Sequence, residues 1–330
     1  MGLEPLISRL PVLVLNAHSR CNCRCVMCDI WKRTEQTVLT PGDLAVLMDS
    51  IKVLHVEWIV FTGGEPLMNP HLPVLAKMLR EQGLKLTLLS TGLLLGQLAA
   101  QVAASFDDVI VSLDGPAEVH DQIRRVKGAF SKLSNGVSWL RQIAPQIPVH
   151  ARATVQKANH QRLRETVQAA KAMGLRSVSF LAADVSSPAF NRELVWPEEL
   201  QNRISLTAQE ALQLEAEIER MIEDHAVDIG SGFIAERPEK LRRIILHFRA
   251  LLGQATPVAP VCNAPWVSAV VESDGAVKPC FFHPAMGNIH DAPLTTILNG
   301  RRAREFRANL KIPTDPICRS CVCSLDYRAP

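Results

Sequence analysis

Nine cysteines fall into two groups more than two hundred residues apart: Cys21, Cys23, Cys25 and Cys28, then Cys262, Cys280, Cys318, Cys321 and Cys323. The first group contains Cys21-x3-Cys25-x2-Cys28. Three thiolates on one short loop can ligate three irons of a four-iron cubane and leave the fourth iron open to an exogenous ligand, which is the arrangement for chemistry rather than electron storage. Structural zinc prefers four ligands, usually as two separated pairs, so a closely spaced triplet suits it poorly. Cysteines buried without metal are the remaining alternative. Cys23 is surplus to the spacing. The second group reads Cys262-x17-Cys280-x37-Cys318-x2-Cys321-x-Cys323, with Gly275 five residues before Cys280. Two cysteines on a hairpin and two on a distant knuckle can converge on one centre, and either zinc or a four-iron cluster uses four such ligands. The absence of a Cys-x-x-Cys knuckle in the first half weighs against zinc. Cys323 is left over as a bystander, as a substitute for Cys321, or as a hydrogen-atom donor.

Something must hold these loops in place. From Pro11 to about Ala183 short β-type runs alternate with helical patterns, the sign of βα units around a parallel sheet. The strands expected are Val12–Asn16, Trp58–Thr62, Lys85–Ser90, Asp108–Leu113, Val149–Val155 and Ser177–Leu181. Helical patterns lie near Pro41–Leu54, Pro70–Glu81, Leu94–Ala104, Ala129–Ile143 and Gln161–Ala172. Six repeats predict an α/β fold, a partial (β/α)6 TIM-like barrel, whose chemistry should gather at the C-terminal strand ends. Ser186–Pro197 reads as loop, while Thr207–His225 and Pro238–Leu252 read as helices of a linker region. Val267–Val271 and Ala276–Lys278 flank Glu272-Ser-Asp-Gly275, a hairpin signal. The expected division is 1–185 for the barrel, 186–257 for the linker and 258–330 for a small cysteine module of β-hairpin plus helix, the helix near Pro293–Asn309.

Composition bounds the rest. Of 330 residues 47% are hydrophobic and 5% aromatic, which predicts an ordered aliphatic core. Met1–Arg9 has no long apolar stretch behind a basic start, and no run reaches the about 18 apolar residues of a membrane span. Nine cysteines without an export signal point to metal or thiol chemistry in a reducing, cytoplasmic setting. The net charge of +3, with no dense Lys/Arg tract, gives no case for nucleic-acid binding.

The Cys21–Cys28 loop resembles the CxxxCxΦC signature of the radical S-adenosylmethionine (SAM) superfamily, with Met27 at Φ where an aromatic residue is common. The run Cys28-Asp-Ile-Trp31 resembles its SPASM/Twitch-containing members. Thr62-Gly63-Gly64-Glu65-Pro66, directly after the second strand, is similar to the family's GGEP motif, although alone it could be a plain turn. The resemblance implies that the amino and carboxylate groups of SAM chelate the open iron, and that reductive cleavage yields a 5′-deoxyadenosyl radical that takes hydrogen from a substrate. It further implies that Met27 or Trp31 contacts adenine and that Gly63, Gly64, Glu65 and Pro66 serve the SAM amino group. Ser90, Thr91, Ser112, Asp114, Arg152, Thr154, Asn159 and Leu181 correspond to positions that cradle the remainder of SAM. Asp114 could equally belong to an Asp-Gly turn that caps the helix that follows. Arg152, in a strand of Ala, Thr and Val, needs a carboxylate partner, which SAM or substrate could supply. His18 is either a local hydrogen-bonding group or a ligand.

With that motif in place, the second cysteine set resembles the Twitch module, a shortened SPASM domain holding one auxiliary [4Fe-4S] cluster on Cys262, Cys280, Cys318 and Cys321. Met286-Gly-Asn-Ile289 also resembles it. The chain ends soon after Cys323, so one auxiliary cluster is expected. The first strand opens by residue 12, leaving no room for a peptide-recognition domain, which favours a small-molecule substrate. The expected activity is a radical SAM dehydrogenase or epimerase acting on a carbohydrate-like or other small metabolite, as in the aminocyclitol dehydrogenases, with an electron donor such as flavodoxin or ferredoxin. The alternatives are a peptide-modifying maturase forming a crosslink or thioether, and a non-catalytic metal-binding scaffold. Tyr327 carries no assignment.

Overall fold

The computed structural model describes residues 6–192 and 194–328; part of the N-terminal stretch read for an export signal, and the outermost ends of the expected division, lie outside them. Six strands, β1 (Val12–His18), β2 (Trp58–Gly63), β3 (Lys85–Ser90), β4 (Asp108–Ser112), β5 (Val149–Val155) and β6 (Ser177–Ala182), pair in sequence order and in parallel. Helices cross between them: α1 (Pro41–Val53), α2 (Leu72–Arg80), α3 (Leu95–Ser105), α4 (Ala117–Arg124), α5 (Ala129–Ile143) and α6 (Leu163–Ala172). Sequential order with helical crossovers is what right-handed βαβ connections impose. Parallel strands covered by helices are apolar on both faces, and Leu13, Leu15, Ile59, Phe61, Leu86, Leu88, Val109 and Val111 are all fully buried.

Local chemistry sets the helix ends. Thr40 and Asp43 close a reciprocal capping box at the start of α1, and Thr207 and Glu210 do the same for the helix that opens at Ala208. The sequence gives α4 no bounds, because the segment that follows the Asp114-Gly115 turn is short. Arg125 ends it in the left-handed region at φ 51°. Beyond the expected loop 186–197 come α7 (Glu198–Ile204), α8 (Ala208–Asp224), α9 (Ala226–Gly230) and α10 (Pro238–Leu251), the second and last matching the linker helices.

The C-terminal module is not set apart from the barrel. After α11 (Ala264–Val267), strand β7 (Ser268–Val271) pairs in parallel with β1, then turns into the antiparallel β8 (Ala276–Lys278) and β9 (Gly287–Asn288). The result is one nine-stranded sheet in the order β6-β5-β4-β3-β2-β1-β7-β8-β9. Gly275 makes the β7–β8 turn at φ 83°, where a Cβ would lie 2.5 Å from the Asn288 Oδ1 atom. The helical pattern expected near Pro293–Asn309 is two helices, α12 (Leu294–Asn299) and α13 (Arg301–Asn309), parted at Gly300, and α14 (Pro316–Ser320) carries Cys318. Pairing β7 to β1 puts the second cysteine set beside the strand that delivers the first. Among the described residues no helix is long and apolar enough to cross a membrane.

Candidate functional site

The C-terminal strand ends open into a cavity of about 800 Å³ that runs from the Cys21–Cys28 loop to the C-terminal module. Cys21, Cys25, Met27 and Cys28 line it at one side, Cys323 and His283 at the other. Between them lie His18, Gly63, Gly64, Ser90, Thr91, Ser112, Arg152, Thr154 and Leu181. The structure therefore gathers most of the expected SAM-binding positions on one surface. Glu65, Pro66, Asp114, Asn159 and Trp31 stand behind it and do not line it.

Those five residues have other work. Glu65 is fully buried and its carboxylate accepts from Leu67 N, Thr91 N, Thr91 Oγ1 and Ser90 Oγ, between 2.6 and 3.0 Å. Burial raises its pKa while these donors oppose the shift. It ties the end of β2 to the end of β3, and Pro66 follows it into a short buried turn. Asn159 donates to the carbonyls of Asp114 and Thr154 and so ties the β4 loop to β5. Asp114, also fully buried, pairs with Arg124 at 2.6 Å and accepts from Thr154 N at 2.9 Å. Trp31 is half-buried, with Lys32 Nζ 5.6 Å from its ring centroid.

The two glycines of the β2 loop act on the cysteine loop. A Cβ on Gly63 would lie 2.7 Å from the His18 carbonyl oxygen, and one on Gly64 would lie 2.0 Å from that of Arg20. Both contacts are to backbone that cannot swing aside, and Gly64 N and Glu65 N donate to the same two carbonyls. Gly64→Ala must therefore push the loop bearing Cys21 outward. A displacement of ~1 Å costs on the order of 100-fold in rate, so SAM cleavage by Gly64→Ala is expected to fall about that far, as product quantification by chromatography will measure.

Around the first cysteines the electrostatics suit a bound cluster. Arg124 Nη1 donates to Cys25 Sγ at 3.5 Å, putting a buried cation against a sulfur of the loop. The Cys25 thiol is drawn down to about 6 by the hydrogen bond from Cys23 and by the Arg124 charge, against its burial. Cys23 is buried, shifted upward by its contacts with Cys21 and Cys25, and does not line the cavity. Asn16 Oδ1 lies at the cavity-lining end of β1, buried and without a hydrogen-bond partner among the described residues, an acceptor available to a ligand donor. His18 accepts from Arg20 N through Nδ1, and burial lowers its pKa.

Sulfur spacing bears on the metal. Tetrahedral zinc at the usual Zn–S length needs sulfurs about 3.8 Å apart. Among the described residues no three cysteine sulfurs lie within 4.8 Å of one another, and the one compact donor group is His283, Asp315 and Cys318. Iron–sulfur clusters are held by cysteine thiolates, and both sets are rich in that donor, which suits [4Fe-4S]. Cys262, Cys280, Cys318, Cys321 and Cys323 are close enough to perturb one another electrostatically, each raised thiol owing most to burial.

The profile of the radical SAM superfamily matches residues 15–183, just over half of the chain. The chain belongs to the radical SAM superfamily. A second profile, the SPASM iron–sulfur cluster-binding domain, matches residues 262–322. Radical SAM and SPASM domains together bring SAM and two [4Fe-4S] clusters as cofactors. The Fe-coproporphyrin III synthase of Methanosarcina barkeri (strain Fusaro / DSM 804) is 27% identical over 87% of this chain and 73% of its own length. An AdoMet-dependent heme synthase of the same organism is 31% identical over 57% of this chain and 58% of its own length. The subtilosin biosynthesis protein AlbA of Bacillus subtilis (strain 168) is 23% identical over 92% of this chain and 65% of its own length. Among solved structures, native anSMEcpe with bound AdoMet superposes with a TM-score of 0.67 at 19% identity, over 94% of this chain and 86% of that one, and so shares the radical SAM fold.

Several residues of this radical SAM site escaped the sequence. Arg192 is wholly buried, pairs with Asp184 at 2.7 Å, donates to Met27 O at 3.0 Å and stacks 4.1 Å from the Trp196 ring centroid. Trp196 Nε1 donates to Asp29 at 2.7 Å, so the segment after β6 closes over the cysteine loop. From α10, Arg243 donates to the Cys321 carbonyl, while burial lowers His247 to about 4. Nothing in one sequence marks Arg124 or Arg192 out from solvated arginines. Of their partners, close by in sequence, Asp114 reads as a SAM-cradling position or a turn residue and Asp184 as an ordinary loop residue.

Proposed function

We propose that this radical SAM enzyme takes hydrogen from a small, carboxylate-bearing substrate of tetrapyrrole size and oxidises it. The observation that carries this is the charge of the cavity wall. Its cations are Arg33, Arg124, Arg152, Arg192 and Lys278, against the carboxylates Asp184 and Glu272. Arg124, Arg192 and Lys278 are each ion-paired. Arg33 donates to Asn191 at 2.8 Å and Arg152 to Ser179 at 3.4 Å, and among the described residues neither has a carboxylate within 4 Å. Arg152 acts on the buried Glu236 carboxylate only from beyond that range, and guanidinium groups with no carboxylate in contact favour ligands that bring one.

The volume, near the upper end of the about 300–1,000 Å³ usual for ligand pockets, leaves space for substrate beside the cofactor. Bound SAM supplies the 5′-deoxyadenosyl radical that makes an unactivated C–H bond reactive. The chain's own residues supply placement: Gly63 and Gly64 admit the cysteine loop, Asn16 offers an acceptor, and Arg33 and Arg152 orient carboxylates. The relatives named for Fe-coproporphyrin III and heme synthesis support a tetrapyrrole. No relative reported above is named for a carbohydrate, and the dehydrogenase or epimerase outcome rests on the Twitch resemblance alone.

AlbA, named for a bacteriocin, supports the peptide-modifying reading, in which Arg33 and Arg152 would meet acidic side chains. Side-chain-deuterated iron coproporphyrin, incubated with reduced enzyme and SAM, decides between them. The expected result is deuterium in 5′-deoxyadenosine, lost with Arg152→Leu. Transfer from a peptide but never from the porphyrin would overturn the proposal.

A further inference from the structure

His283, three residues after Cys280, is 5% exposed and lies with its ring edge-on to Phe306, centroids 4.9 Å apart. Its Nε2 is 3.5 Å from Cys318 Sγ and 3.8 Å from Asp315 Oδ1. Asp315 accepts from Cys318 N at 2.9 Å, so its carboxylate holds the backbone of Cys318 and stands beside the same imidazole nitrogen. Cys318 Sγ lies within hydrogen-bond range of Nε2, and a neutral imidazole carrying its one proton on that nitrogen donates to it.

We propose that His283 donates a hydrogen bond from Nε2 to Cys318 Sγ and thereby raises the reduction potential of the auxiliary cluster. A donor to a ligand sulfur withdraws electron density and stabilises the more negative, reduced form. The proposal rests on Cys318 being a cluster ligand, and it deepens the oxidative reading: a cluster that accepts an electron more readily suits net oxidation. His283 also lines the cavity, so the tuning group stands at the substrate side.

The test compares His283→Phe, which keeps the ring packing against Phe306, with His283→Gln, which keeps an N–H donor. Each is reconstituted, assayed for iron and titrated by EPR-monitored potentiometry. Phe should lower the auxiliary midpoint by about 59 mV for each tenfold loss in the one-electron reduction constant, with iron content and the SAM-induced spectrum of the first cluster unchanged. Gln should restore most of the shift. An unchanged midpoint in the Phe variant overturns the proposal, as does loss of about four irons, which would make His283 a ligand. Cys318→Ala separates the underlying assignment. If that variant keeps all its iron, Cys318 is no ligand and the proposal falls with it.

Discussion

The triple variant Cys21→Ala/Cys25→Ala/Cys28→Ala is expected to reconstitute with about four iron and four sulfide per chain in place of about eight of each, and to leave SAM intact. The three side chains face one end of a single cavity, so their loss removes every thiolate that can hold the first cluster there except Cys23, which does not line it. The second cluster should survive because its loops hang on β7 and α14. Of these, β7 contacts β1 through backbone pairing that Ala leaves alone. Iron and sulfide analysis with EPR checks the prediction. Retention of all eight irons would mean that Cys23 and another residue rebuild the site, and complete loss would mean that the two modules fold only as one metal-dependent unit.

Arg124→Leu is expected to cost about 3–5 kcal/mol in unfolding free energy, the range for removing one partner of a buried ion pair. Side-chain exposure is 8% for Arg124 and 0% for Asp114, so the abandoned carboxylate has no water to turn to and keeps Thr154 N as its donor. Replacing both partners by Leu should recover much of the loss, because no buried charge then remains uncompensated. Denaturant unfolding of the protein before and after cluster assembly measures both variants. A loss below about 1 kcal/mol, the level of an exposed pair, would contradict the buried geometry.

Much of this was legible in the sequence because the informative signals were local. Strand periodicity located all six barrel strands to within two residues at each end, since parallel strands buried on both faces leave continuous apolar runs such as Trp58–Phe61. The cysteine spacings located both loops for the same reason. What stayed hidden depends on partners distant in sequence or on the folding of long loops. β7 reads as half of an isolated hairpin, and only its pairing with β1 makes the sheet continuous across the expected boundary at 258. Glu65 reads as part of a cofactor-binding motif, and its side chain also ties β2 to the end of β3 through donors on Leu67, Ser90 and Thr91, which the sequence does not show. His283 carried no signal, because a histidine three residues past a cysteine gains meaning only when Cys318, 35 positions on, folds against it.

The most direct test of the central claim is the EPR spectrum of the anaerobically reduced, fully reconstituted protein with and without SAM, followed by quantification of 5′-deoxyadenosine. The account predicts that SAM alters the signal of the cluster on Cys21, Cys25 and Cys28, that the auxiliary signal stays as it was, and that 5′-deoxyadenosine and methionine form. A protein with its full iron complement whose spectrum ignores SAM, and which leaves the sulfonium bond unbroken with every substrate class named above, would contradict it.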